Sequence, residues 1–166
     1  GQFVWDDVML VHQNPLVTGK LGLGTIWFRT DFPLANIAFW AQWRLWGDHP
    51  VGYHAVNVLL HATSALLLWR VLWRLRIPGG WLAAVIFAVH PVCVASVAWV
   101  SELKNTLSLP FYLLSMLWFL RSDACQDQSR RTRAVGWYLL SLAAFLVALF
   151  SKTSTVMLPL VLLGCA

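Results

Sequence analysis

The amino-acid sequence predicts an all-α fold, a polytopic bundle of transmembrane helices with one amphipathic helix at the membrane interface. Several long apolar segments follow one another, and segments of this length need a bilayer to hold them. Hydrophobic residues make up 59% of the chain and charged residues 11%, against roughly 25% charged residues in soluble domains. The eleven Trp suit interfacial belts, where the ring is apolar and the N–H is hydrated.

The first part of the chain is polar and is predicted to lie outside the bilayer core. Residues 1–33 carry many Gly and Pro turn signals. Residues 34–46 have a helical pattern in which Trp40, Trp43 and Trp46 recur every third position, with polar residues between them. This pattern predicts a helix that lies in the interface rather than one that crosses it.

Apolar segments fill the remainder of the chain. Pro50 suits the first turn of a helix, and His90-Pro91 predicts a kink or an end within the second segment. The predicted spans are residues 51–73, 81–100, 106–120, 135–151 and the start of a further span at 153–166.

Residues 1–166 are expected to be a fragment of one membrane domain, in which residues 1–50 form an outer loop and residues 51–166 the transmembrane helices. The chain starts without Met and stops inside an apolar segment. The three Cys are an odd number without CxxC spacing, which argues against a disulfide framework or a zinc site.

The loop charges predict the orientation. Seven of the twelve Lys and Arg fall in the turns near residues 70–76 and 121–133, which the positive-inside rule assigns to the cytoplasm. Asp6 and Asp7 then lie on the extracytoplasmic side of a multi-pass protein, expected in a bacterial inner membrane. The same rule explains the net charge of +5, so membrane lipid is the expected partner and nucleic acid is not.

Asp6 and Asp7 are the first candidates for chemistry. A carboxylate held at a membrane surface can accept a proton from a hydroxyl nucleophile. Two carboxylates could also hold a divalent cation through oxygen ligands. The alternative is a solvated loop pair or a helix cap.

A polar stripe runs along the span at 51–73, formed by His54, Asn57, His61 and Ser64. Spacings of three and four residues place these side chains on one helix face. His54 and His61 are about 10 Å apart along the axis, too far for both to bind one metal ion. Interhelical hydrogen bonds explain the stripe most simply, while a transporter site is an alternative that lacks a visible inverted repeat.

Four further polar residues stand at or near membrane depth, namely His90, Glu102, Lys104 and Lys152. Such groups are costly in a membrane and usually face a cavity or a partner. The basic ones are candidates for binding the phosphate of a lipid-linked donor. Lys152 can also be read as an anchor that extends to the interface.

Four motifs in order carry a family resemblance: FVWDD…NP, FW…WRLWG…P.GYH.VNVLLHA, FAVHPV…SVAWVSE.KN and SKT….LP. They resemble the amino-terminal membrane half of multispan tetratricopeptide-repeat proteins, which is similar to the GT-C glycosyltransferases and the protein O-mannosyltransferases. The resemblance implies transfer of a sugar from a polyprenyl-phosphate carrier to a hydroxyl of a protein or glycan, on the extracytoplasmic side. It implies no cofactor, and it assigns the role of base to Asp6, with Asp7 beside it.

The chain departs from the family pattern HPVHVESVAW…ER at three positions. Cys93 stands in place of the second His, Ala95 in place of the Glu and Leu103 in place of the Arg. If that Glu and Arg hold substrate or phosphate, this chain has lost both. A non-catalytic membrane anchor for a C-terminal repeat domain is therefore the alternative function.

Overall fold

The computed structural model describes residues 6–19, 23–127 and 131–164. Within these ranges the fold is all-α and contains no strand, as predicted. The helices are α1 Leu23–Arg29, α2 Pro33–Trp46, α3 Pro50–Arg74, α4 Gly80–Val89, α5 Val94–Ala98, α6 Leu103–Asp127, α7 Arg131–Ser151 and α8 Leu158–Leu163. Shorter turns are a π-helical turn at Val8–His12 and 3₁₀ turns at Pro91–Cys93, Val100–Glu102 and Thr153–Met157.

Proline and glycine set several helix boundaries. Pro33 and Pro50 are the first residues of α2 and α3, where a missing N–H costs nothing. The chain leaves α2 at Gly47 with φ 52° and enters α4 through Gly79 with φ 74°. Both backbone conformations favour glycine because it has no Cβ.

The helices pack as a bundle in which α6 lies against α7, and α3 lies against both α6 and α4. One buried cluster contains Val11, Val17, Phe39, Tyr53, Val100 and Leu103, and a second contains Val71, Leu113, Met116 and Leu158. Large apolar side chains cover the outside of the bundle, for example Trp73 and Leu139. An apolar exterior of this kind is stable only in contact with lipid or other protein.

Among the described residues, two helices, α3 and α7, are long and apolar enough to cross a membrane, which agrees with the predicted spans at 51–73 and 135–151. Helix α4 and the segment Pro91–Ala98 meet the same criteria of length and hydropathy when taken together, with a bend of 51° between them. The break comes at Pro91, which cannot donate a backbone hydrogen bond. The kink predicted at His90-Pro91 is therefore confirmed.

Two predicted spans differ from the structure. Helix α6 covers Leu103–Asp127 rather than 106–120, and Pro110 and several serines make it less apolar than α3 and α7. The last apolar segment is a 3₁₀ turn followed by the short helix α8.

The first polar segment contains more helix than its turn signals predicted. Helix α1 and the π-helical turn Val8–His12 form there because Ile26 and Val11 are fully buried in the bundle. Helix α2 matches the helix predicted at 34–46. Its location in the membrane interface stays a prediction.

Candidate functional site

Several segments of the chain meet at one end of the bundle, around Asp7 and residues 99–106; this end is called the Asp7 end. Asn57 near the start of α3 bonds to Trp99 before α6, and Lys152 after α7 bonds to Asn105 at the start of α6. Segments far apart in sequence therefore meet at the Asp7 end. The sequence-predicted residues Asp7, Asn57 and Lys152 all contact the segment Trp99–Thr106.

Asp6 and Asp7 occupy different environments. Asp7 is fully buried, and its Oδ1 accepts a hydrogen bond of 2.7 Å from the backbone N–H of Ser101. Asp6 is exposed. The cause is the helical backbone at these two residues, since successive helical side chains point about 100° apart. Asp7 therefore fixes the loop to the bundle, while the Asp6 side chain is left on the surface.

Asn57 joins α3 to the broken segment, residues 90–102 between α4 and α6, and to the first turn of α6. Its Nδ2 donates a 2.9 Å hydrogen bond to the carbonyl of Trp99, and its Oδ1 accepts a 2.9 Å bond from the hydroxyl of Thr106. The side chain is buried, and both ends of its amide have a partner. Such a bond pair fixes the position of the chain between residues 99 and 106.

Two half-buried lysines, Lys104 of α6 and Lys152 after α7, lie near the first turn of α6. Lys152 donates from Nζ to Oδ1 of Asn105, and the Nζ of Lys104 lies 5.8 Å from the centre of the Phe32 ring. Phe32 belongs to the turn between α1 and α2, so the first polar segment reaches this end as well. A lysine over an aromatic face gains a cation–π attraction.

The charges of the site are not neutralised by ion pairs among the described residues. Lys104, Lys152 and the half-buried Glu102 have no opposite charge within 4.0 Å there, unlike His12 and Asp48, which lie 3.1 Å apart. Two cations that lack a carboxylate partner can attract an anion.

His61 and His90 lie beside the helix break at Pro91. The Nε2 of His61 lies 3.2 Å from the carbonyl oxygen of Ala88. His90 is exposed, and its Nδ1 accepts a 3.2 Å hydrogen bond from the N–H of Val92 at the break. His54 is half-buried, and its Nε2 lacks a hydrogen-bond partner. The described part of the chain contains no group of three His, Cys, Asp or Glu residues placed to hold a metal ion.

His61 and His90 share a cavity of about 450 Å³ with Cys93. A smaller cavity of about 90 Å³, also lined by His61 and Cys93, continues to Asn105. The structure therefore places His90 beside His61, while the direct bonds of Asp7 and Lys152 go to residues 101 and 105.

The three positions that depart from the family pattern have different surroundings. Leu103 is buried in the first core cluster, Ala95 is exposed, and Cys93 is a half-buried free thiol. At position 103 this chain therefore places an apolar core side chain where the family pattern has a cation.

Two members of the site were not identified from the sequence. The Ser101 amide carries no signal, because every residue except proline has one. Thr106 stands in an apolar helix, where a hydroxyl is ordinarily expected to bond to a carbonyl of its own helix. The Thr106 hydroxyl does contact the carbonyl of Leu103, but it also donates to Asn57 of α3.

Comparison with known proteins gives relatives that share one name. The chain is 31% identical to Protein O-mannosyl-transferase TMTC4 of Homo sapiens, over 92% of the chain and 25% of that protein. It is 32% identical to Protein O-mannosyl-transferase Tmtc1 of Drosophila melanogaster, over 93% of the chain and 19% of that protein. It is also 32% identical to Protein O-mannosyl-transferase TMTC1 of Mus musculus, over 84% of the chain and 17% of that protein.

The chain spans a quarter or less of the length of these three relatives. No model of a protein family matches it, and no solved structure matches it. The matches nevertheless confirm the resemblance carried by the motifs: the chain is a relative of the protein O-mannosyl-transferases.

Proposed function

We propose that the chain forms part of a membrane glycosyltransferase that moves a mannosyl group from a polyprenyl-phosphate carrier to a hydroxyl of a protein. The observation that carries this proposal is the hydrogen bond between Asp7 and Ser101. It brings the exposed Asp6 to the segment that bears Glu102 and Lys104. The names of the relatives support the choice of a mannosyl group and a protein acceptor.

Asp6 and Asp7 take different roles in the proposed reaction. The acceptor hydroxyl oxygen attacks the anomeric carbon, and its proton passes to the Asp6 carboxylate. The bond from the anomeric carbon to the phosphate oxygen breaks, and the electron pair leaves with the polyprenyl phosphate. Asp7 is buried and bound to Ser101, so it positions Asp6 rather than taking the proton.

Lys104 and Lys152 are assigned to the leaving phosphate. Both are half-buried and free of ion pairs with the described carboxylates; Lys104 belongs to α6, and Lys152 bonds to Asn105 in the same helix. Cations placed where negative charge develops stabilise the transition state, and they do so more strongly where water is excluded. This chemistry uses side chains of the protein and needs no cofactor, while a divalent cation at Asp6 would be a second way to neutralise the phosphate.

The proposed reaction takes place on the extracytoplasmic side of the membrane. Arg70, Arg74, Arg76 and Arg121 are all exposed. The carbonyl of Leu120 accepts a bond from Arg74, so these arginines gather at the end of the bundle opposite Asp7. Arginines of this kind mark a cytoplasmic face.

A non-catalytic membrane anchor is the second candidate function. It is favoured by Leu103, which is buried in the core where the family pattern has an arginine. One assay distinguishes the two functions. The purified full-length protein is incubated with a polyprenyl-phosphate mannose and a peptide that contains serine and threonine. The proposal predicts mannosyl peptide and released polyprenyl phosphate in equal amounts. A folded protein that forms neither product would establish the anchor function instead.

A further inference from the structure

We propose that the end of the bundle opposite Asp7 binds the headgroup phosphates of anionic phospholipids through four exposed arginines. They are Arg70, Arg74, Arg76 and Arg121, and the surface that they form is called the arginine end. None of these arginines takes part in the reaction proposed at Asp6, so lipid binding at this surface does not depend on sugar transfer.

Side-chain contacts bring two of these arginines together where three helices meet. The Nη2 of Arg74, in the last turn of α3, lies 3.5 Å from the carbonyl oxygen of Leu120 in α6. The next residue of α6 is Arg121, whose Cζ lies 4.9 Å from the centre of the Trp137 ring of α7. Arg74 and Arg121 are therefore neighbours, although they belong to different helices.

The other two arginines extend this surface along α3 and into the turn that follows it. Arg70 precedes Arg74 by four positions, so the two side chains lie on one face of α3. Arg76 follows α3 with φ 58° and is exposed in the turn before α4. The arginine end is therefore a surface made by α3, the turn after it and α6.

The charges of this surface are not neutralised by the carboxylates that the structure describes. None of the four arginines forms an ion pair with a described carboxylate. Asp123 is exposed two positions after Arg121, and residues at this spacing on a helix do not face each other. Several cations without a carboxylate partner attract anions.

Phosphate is the anion that suits these side chains best. A guanidinium has five N–H donors in a planar fork that matches the oxygens of a phosphate. Arg74 directs one of its nitrogens to the Leu120 carbonyl, so other N–H groups of the same side chain can donate to a ligand. The arginine end can therefore bind a phosphate by charge and by hydrogen bonds at once.

Exposed tryptophans indicate that the phosphate belongs to a lipid. Trp69 and Trp73 lie in the last turns of α3 and are 47% and 73% exposed, and Trp81 at the start of α4 is 61% exposed. Exposed tryptophans are typical of the boundary between lipid headgroups and acyl chains. The arginines beside them are therefore expected at the depth of the headgroup phosphates.

The net charge of the headgroup decides which lipids bind. A zwitterionic headgroup brings its own cation to the surface, whereas an anionic headgroup brings a net negative charge. The proposed orientation assigns the arginine end to the cytoplasmic face, and basic residues near that leaflet are attracted by its anionic lipids. Anionic phospholipids are therefore the proposed partner.

Native mass spectrometry of the full-length protein in detergent tests this assignment. The protein is titrated with phosphatidylserine and, separately, with phosphatidylcholine that has the same acyl chains. We expect tighter binding of phosphatidylserine, and this preference should fall about tenfold in the double variant Arg74→Gln with Arg121→Gln. Excess inorganic phosphate should leave lipid binding unchanged, because it lacks the apolar contacts of the acyl chains.

The double variant Arg29→Gln with Arg44→Gln is the matched control. It removes the same charge from two exposed arginines of α1 and α2. Arg44 also resembles Arg121 in lying over a tryptophan ring, with its Cζ 5.4 Å from the centre of Trp40. This control should keep the phosphatidylserine preference of the unmodified protein.

The double variant Arg74→Lys with Arg121→Lys keeps both charges and should retain most of the preference. Arginines that only orient the helices in the membrane would give equal affinity for the two lipids, which would overturn the assignment. Equal losses in the two glutamine variants, a loss in the lysine variant as large as in its glutamine counterpart, or displacement of the lipid by inorganic phosphate would overturn it as well.

Discussion

Asp7 and Ser101 are 94 residues apart in the chain, yet the Asp7 carboxylate accepts a 2.7 Å hydrogen bond from the Ser101 amide inside the bundle. A bond to an ionised acceptor is stronger than one between neutral groups. It fixes the first polar segment to the broken segment between α4 and α6. The reactive groups proposed above depend on this connection for their proximity.

Removing the Asp7 carboxylate should destabilise the protein. Asp7→Ala leaves the buried Ser101 N–H without its acceptor, which costs about 1–3 kcal/mol. Asp7→Asn keeps an oxygen that can accept the hydrogen bond, so it should lower the stability of the protein less than Asp7→Ala. Thermal unfolding in detergent measures both, with Asp6→Ala as the control because Asp6 is exposed. An Asp7→Ala protein that unfolds at the temperature of the unmodified protein would contradict the structural role of Asp7.

Asn57 and Thr106 should show coupled effects on stability. Their side chains share a 2.9 Å hydrogen bond, so each single substitution to Ala already removes it. A double-mutant cycle should give a coupling energy of about 0.5–3 kcal/mol. Thr63→Ala serves as the control, since the Thr63 hydroxyl is exposed and bonds within its own helix, to Leu59. Strictly additive effects of Asn57→Ala and Thr106→Ala would show that the pair is not coupled.

Substitution by alanine should lower the stability of the protein at Gly80 and raise it at Gly136. A Cβ on Gly80 would lie 2.8 Å from the Cβ of Leu72, where α4 meets α3. Gly80→Ala should therefore destabilise the protein by about 1–3 kcal/mol. Gly136 lies inside α7, where an added methyl group would have no neighbouring atom within 4 Å, so Gly136→Ala should stabilise the protein by up to about 1 kcal/mol. Equal unfolding temperatures for the two variants would refute the close approach of α3 and α4.

Replacing Lys152 should raise the KM for the donor more than the KM for the acceptor. If Lys152 binds the donor phosphate, Lys152→Ala removes a charged hydrogen bond of about 1.5–3 kcal/mol, and the KM for the donor rises roughly 10- to 100-fold. Lys152→Arg keeps the positive charge, so its donor KM should rise less. Arg133→Ala, an exposed cation at the start of α7, is the control. An unchanged donor KM in Lys152→Ala would remove this lysine from the phosphate site.

The sequence predicted the helical fold because apolar length and proline position act locally. Residues 51–73 and 135–151 needed only their own composition to be recognised as spans, and Pro91 predicted its own break. Helix α1 was missed because it is held by the burial of Ile26, which depends on residues distant in the chain. The same limit applies to the site: a pair of adjacent aspartates is visible in sequence, but the burial of Asp7 and the exposure of Asp6 are set by the fold.

Asp6→Asn in the full-length protein tests the central claim most directly. The amide keeps the size of the side chain and cannot take the acceptor's proton, so the rate of mannosyl transfer from polyprenyl-phosphate mannose to peptide should fall about 10²- to 10⁴-fold. The unfolding temperature should stay the same, and Asp123→Asn, at an exposed aspartate of α6, should retain full activity. Undiminished transfer by the Asp6→Asn protein would contradict the proposed mechanism.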